Sequence, residues 1–98
     1  MDIRELLWLP EVEAKLATKH KVVRDEVEEV FAERPLVTFV EKGHFQGEDV
    51  YAAWGRTGAG RYLRIFFVHK LMGDALILSA RDMDTKERKY YAKAHKGT

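Results

Sequence analysis

The sequence predicts an α+β domain with helices packed against an antiparallel meander sheet, in the order β-α-α-β-β-β-β-α. Three observations carry that expectation. Apolar residues recur at helical spacing before Pro35, four extended runs follow it with only short turns between them, and a capping pattern opens a last helix near Asp84. Ninety-eight residues support one core, so 1–98 is read as a single domain.

Leu6-Leu7-Trp8-Leu9 reads as a short strand stopped by Pro10, which cannot donate to a ladder but suits the first turn of a helix. Glu11 and Glu13 then sit at the positive end of the helix dipole, and Val12 and Leu16 share one stripe, giving a helix to about His20. Val23, Val27, Val30 and Phe31 mark a second helix, with acids on its other faces and Pro35 beyond its end. Leu36–Val40 is β-branched and aromatic and closes at the Gly43–Gly47 turn. Asp49–Trp54, Arg61–His69 and Ala75–Arg81 are three further strands. Gly55–Gly60 and Met72-Gly73-Asp74 turn the chain between them. The last two strands are apolar at most positions, which places them mid-sheet with at least one face under helices. Asp84 as N-cap and Glu87 reaching back open the final helix, basic on its outside, which runs to about Lys96.

Composition narrows the function classes. The chain is 46% apolar and 34% charged, enough hydrophobic material to fold, and it has no cysteine, which excludes disulfides, thiolate metal sites and cysteine nucleophiles. No apolar run approaches the roughly 20 residues of a membrane helix, and no secretory leader is visible, so a cytoplasmic location and no membrane partner are expected. His44, His69 and His95 lack metal-ligand spacing. Gly55–Gly60 lacks the lysine and following helix of a phosphate-binding loop and reads as a hairpin. The net charge of +1 conceals a division: residues 1–49 hold 7 Lys/Arg against 12 Asp/Glu, and residues 50–98 hold 10 against 4. The basic half suits a polyanion, although solvated helix faces of different sign give the same pattern.

Four stretches stand out in this order: Lys19-His20 with Val22 at a helix junction, Glu26 through Phe31, Gly55-Arg56 followed by Gly60-Arg61-Tyr62-Leu63, and Ile77-Leu78-Ser79-Ala80-Arg81 continuing to Thr85-Lys86-Glu87-Arg88-Lys89-Tyr90-Tyr91. Together they resemble the BrnT family of bacterial type II toxins. Lys21 and Val23 depart from it, standing where the family usually has a glycine and then a serine, and so does Leu9, where an acid is common. The resemblance implies a RelE-like, microbial-ribonuclease-like fold and metal-independent RNA cleavage that inhibits translation, without a cofactor. It also implies a BrnA-like ribbon-helix-helix antitoxin that neutralises the toxin and through which alone operator DNA is contacted.

Metal-free RNA cleavage needs a base for the 2′-hydroxyl, cations on the phosphate and an acid for the leaving oxygen. Arg81 at a strand end can hold a phosphate bidentately, and Arg88 can join it if the helix folds back; alternatively either arginine pairs with Glu87 or Asp84 within the cap. His20 can exchange a proton with Lys19 adding charge, or simply complement a helix C-terminus. Tyr91 can stack or give a proton, or be core, and Glu87 completes the candidate catalytic set. Arg56, Arg61, Arg64 and Lys89 are candidate RNA contacts, Tyr62 a candidate base platform, and Trp54 is read as core. A non-catalytic interaction module on the same scaffold is the competing reading.

Overall fold

The helix and strand periodicities place their elements where expected. The computed structural model describes residues 1–96, so Gly97 and Thr98, the end of the expected domain, lie outside the described residues. The chain is α+β, with strands β1 (Leu6–Leu7), β2 (Leu36–Glu41), β3 (Val50–Arg56), β4 (Tyr62–His69) and β5 (Ala75–Asp82) and helices α1 (Pro10–Lys15), α2 (Arg24–Ala32) and α3 (Thr85–Lys96).

The sheet order is β1-β5-β4-β3-β2. β2 through β5 form the antiparallel meander, but β1 pairs parallel to β5, Leu6 with Ala75 and Leu7 with Leu76, so the sheet is mixed. Pairing ends there because the Leu9 carbonyl is taken by the N–H groups of Val12 and Glu13, which start α1.

The first helix is also not uniform to His20. Its α-helical part ends at Lys15 and continues as a π-helical turn over Leu16–His20. The Thr18 hydroxyl donates to the Ala14 carbonyl at 3.0 Å, and Val22 N–H closes back on Leu16 O at 3.0 Å. That closure needs a left-handed residue, and Lys21 supplies it at φ 56°. α2 begins without a side-chain cap at Val23, whose N–H instead donates to Glu26 Oε1 at 3.1 Å.

Two cores follow, one on each face of the sheet. Leu16, Val22, Val27 and Val30 bury Ala53, Leu63, Ile65, Phe67, Ile77 and Ala80 on one side. α3 covers Ala52, Trp54 and Met83 on the other through Tyr91, with Leu36, Tyr62 and Phe66 at the margin. β4 is central, and both its faces are covered. No helix among the described residues is long and apolar enough to cross a membrane.

Candidate functional site

The expected site residues divide between the two faces of the sheet, and an extra residue in β5 decides the side on which Arg81 lies. Phe67 pairs with Ile77 but Phe66 pairs with Ser79, so Leu78 is an extra residue in β5. Ala75 and Ile77 face α1 and α2, and beyond the bulge Ala80 does so instead. Ser79 and Arg81 are thereby turned toward α3.

Arg81 lies opposite Arg64, and two adjacent guanidinium groups require an anion between them. Glu87, in the first turn of α3, is that anion. Its Oε1 accepts from Arg81 Nη1 at 2.6 Å, and its Oε2 accepts from Arg81 Nη2 and Arg64 Nη1, both at 2.8 Å. The capping box also forms: Asp84 N–H donates to Glu87 Oε1 at 3.0 Å and Glu87 N–H to Asp84 Oδ1 at 2.8 Å. The bond from Arg81, helped by the Asp84 N–H and Arg64, holds the Glu87 carboxyl at about 2. Such a carboxylate is a poor proton acceptor near neutral pH. Arg81 spends its fork on the cap, and Arg64 also lies 4.4 Å over Trp54 and 4.7 Å over Phe66. These three residues tie α3 to the sheet: of the two readings of Arg81, its pairing with Glu87 within the cap is the arrangement present, and Arg64 shares the same carboxylate.

Arg61 is engaged to a similar degree. It reaches the α1–α2 junction, donating to both Asp82 oxygens at 2.7 and 3.0 Å, to both Glu26 oxygens at 3.1 and 3.2 Å, and to the Lys21 and His20 carbonyls at 2.6 and 3.0 Å. All three guanidinium nitrogens are engaged. The Asp82 hydrogen bond, followed by that from Glu26, raises its pKa, and Arg61 in turn holds the Asp82 carboxyl below its ordinary value. His20 and exposed Lys19 belong to this junction, at the end of the π-helical turn, where the His20 carbonyl accepts from Arg61.

The remaining candidates gather around Tyr62. The Arg88 guanidinium lies 4.2 Å from the Tyr62 ring centre and that of Arg56 5.5 Å. Neither has a carboxylate partner among the described residues. The ring expected as a base platform thus lies against two cations. Tyr91 meets Tyr62 edge-on at 6.1 Å and stacks on His95 at 5.1 Å. Burial raises the Tyr91 hydroxyl pKa, Tyr62 adds to that and Arg56 opposes it, so the phenol stays protonated.

Arg56, Tyr62, Tyr91 and His95 line a groove of about 740 Å³, which Glu29 and Glu33 of α2 and the β3–β4 turn also border. Glu29 ties the turn to α2 by accepting the Gly58 N–H at 2.7 Å. A second depression, about 310 Å³, lies beside it between Tyr62, Thr85, Arg88, Lys89 and Ala92, with only basic and neutral residues in its lining. No protein-family model matches the chain, and no curated protein does.

Among the described residues, no cluster of three histidines, cysteines or carboxylates can hold a metal ion. Trp54 is core as expected, its indole N–H donating to Thr38 Oγ1 at 2.9 Å. His95 is the groove residue that sequence reasoning passed over, having weighed it only as a metal ligand. Its spacing of four from Tyr91 on one helix was the available signal.

Proposed function

We propose that this chain is a ribonuclease toxin resembling the BrnT family, which cleaves RNA without a metal and so inhibits translation. The observation that supports the reading best is the pair Arg56 and Arg88 over the Tyr62 ring, Arg56 lining the groove that holds Tyr91 and His95 and Arg88 lining the depression beside it, with Tyr62 common to both. Both arginines keep their donors for an anion, unlike Arg61, Arg64 and Arg81. They bind the scissile phosphate and stabilise charge that develops on it. The imidazole of His95 takes the proton from the 2′-hydroxyl as its oxygen attacks phosphorus. Tyr91 gives its proton to the departing 5′-oxygen, leaving a 2′,3′-cyclic phosphate and a free 5′-hydroxyl. The partner is a BrnA-like ribbon-helix-helix antitoxin that covers the basic α3 face and alone contacts operator DNA, and the location is cytoplasmic.

The test is incubation of purified protein with single-stranded RNA and identification of the product ends. Cyclic phosphate ends are expected, with cleavage unaffected by EDTA and reduced about 10²–10³-fold in Arg88→Ala. A folded wild type that leaves RNA intact, or one that needs a divalent metal, overturns the reading. The interaction-module alternative draws on one observation, the engagement of Arg81 by Glu87.

A further inference from the structure

Tyr90 is an aromatic residue that the groove does not use. Its neighbour Tyr91 turns inward, whereas Tyr90 lies on the flank of α3 and is 48% exposed. Its ring nevertheless has a fixed backing, with Trp54 at 5.1 Å and 50°. Trp54 is immobilised by Thr38 on its indole N–H and by Arg64 over its ring.

Helical spacing sets Lys86 four residues before Tyr90 and Lys93 three after it, with Lys89 adjacent. All three are exposed, and no carboxylate pairs with them among the described residues. Shallow depressions of about 360 and 630 Å³ flank the ring. Lys86 borders the first, and Lys89 and Lys93 border the second. An apolar partner for the ring would leave three ammonium groups without counter-charge, and a simple polyanion would leave the ring unused. A single-stranded nucleic acid uses both, because each base has a π-face and each linkage a negative charge.

We propose that Tyr90, with Lys86, Lys89 and Lys93, is a nucleobase-stacking subsite for single-stranded RNA, separate from the groove. The inference rests on the reading of the chain as an RNA-cleaving protein and names where a nucleotide away from the scissile bond docks. The ring holds the base, and the lysines hold the phosphates on either side.

Fluorescence anisotropy with a labelled 2′-O-methyl oligouridylate, which cannot undergo 2′-hydroxyl attack, reads binding apart from cleavage. Tyr90→Ala is expected to weaken binding about ten-fold or more, and Tyr90→Phe to retain it. An oligomer of the same length with abasic residues should bind the wild type as weakly as the intact oligomer binds Tyr90→Ala. Lys89→Glu should weaken both oligomers, which tests the cations without disturbing the Trp54 contact. Unchanged affinity in Tyr90→Ala, an equal loss on the abasic oligomer, or an unaffected Lys89→Glu overturns the subsite. If the wild type cleaves unmodified RNA while Tyr90 has no effect on binding, the subsite alone is wrong. If the Tyr90 pattern holds and no RNA is cleaved, the cleavage reading alone is wrong.

Discussion

Glu87 joins α3 to the sheet by accepting from Arg81, Arg64 and the Asp84 backbone. Its carboxyl falls from the ordinary 4.5 to about 2, so its contribution is complete above the ordinary value and disappears as pH drops through about 2. The shift corresponds to about 3 kcal/mol at neutral pH. Urea denaturation at pH 6 and pH 3 should show the wild type losing more stability on acidification than Glu87→Gln; parallel losses in the two proteins would remove Glu87 as the cause. Lys21 presents the opposite case, a side chain in a conformation it disfavours, at φ 56°. Relief of left-handed strain outweighs the extra unfolded-state freedom of glycine, so Lys21→Gly should raise stability by up to about 1 kcal/mol. A lowered denaturation midpoint would show that the lysine side chain itself stabilises the turn.

At the scale of elements, Arg61 connects four segments that are distant in sequence: the π-helical turn, the start of α2, the start of β4 and the end of β5. Arg61→Lys cannot reproduce the fork and should destabilise by about 2–3 kcal/mol, close to the effect of Arg61→Ala. Thermal melts check this, and full rescue by lysine would show that charge alone suffices there. Gly55 sets a different constraint, the distance between β3 and α2. A Cβ at this position would lie 2.7 Å from Val30 Cγ1, so Gly55→Ala should destabilise by about 1–3 kcal/mol even though it adds only a methyl group. Denaturation curves for this variant in Val30 and Val30→Ala backgrounds should show the loss shrinking when Val30 is shortened; an equal loss in both would place its origin in the backbone.

At the scale of the molecule, the charge division along the chain becomes a division across the sheet. α2, on one face, carries Asp25, Glu26, Glu28 and Glu29, whereas α3, on the other, carries Lys86, Arg88, Lys89 and Lys93 with Glu87 turned inward. If RNA lies on the α3 face, the logarithm of affinity should fall with the logarithm of salt concentration by about 0.7 per phosphate neutralised. Arg88→Glu should flatten that slope and Lys15→Glu should not. Arg61 belongs with Lys15 here, since its charge is answered by Glu26 and Asp82. Equal slopes for the wild type and Arg88→Glu would move the RNA off this face.

The sequence by itself determined the kind and order of the elements, because each depends on neighbours within a few positions. Val27 and Val30 share a stripe at helical spacing, Pro10 and Pro35 punctuate, and Asp84 with Glu87 encodes a cap three residues long. It also placed Trp54 in the core and basic residues on the outside of α3. Only the tertiary structure decided the parallel partner of β1, the bulge at Leu78 that turns Arg81 toward Glu87, and the contact of Arg61 with the His20 carbonyl. It likewise decided which arginines remain available. Arg56, Arg61, Arg64, Arg81 and Arg88 are the same ion in the sequence, and what distinguishes them is a carboxylate within 4 Å, brought there in the case of Arg61 and Glu26 from 35 positions away. A short-range interaction between distant positions leaves no mark on local periodicity, so which cations keep their donors is settled only by the fold.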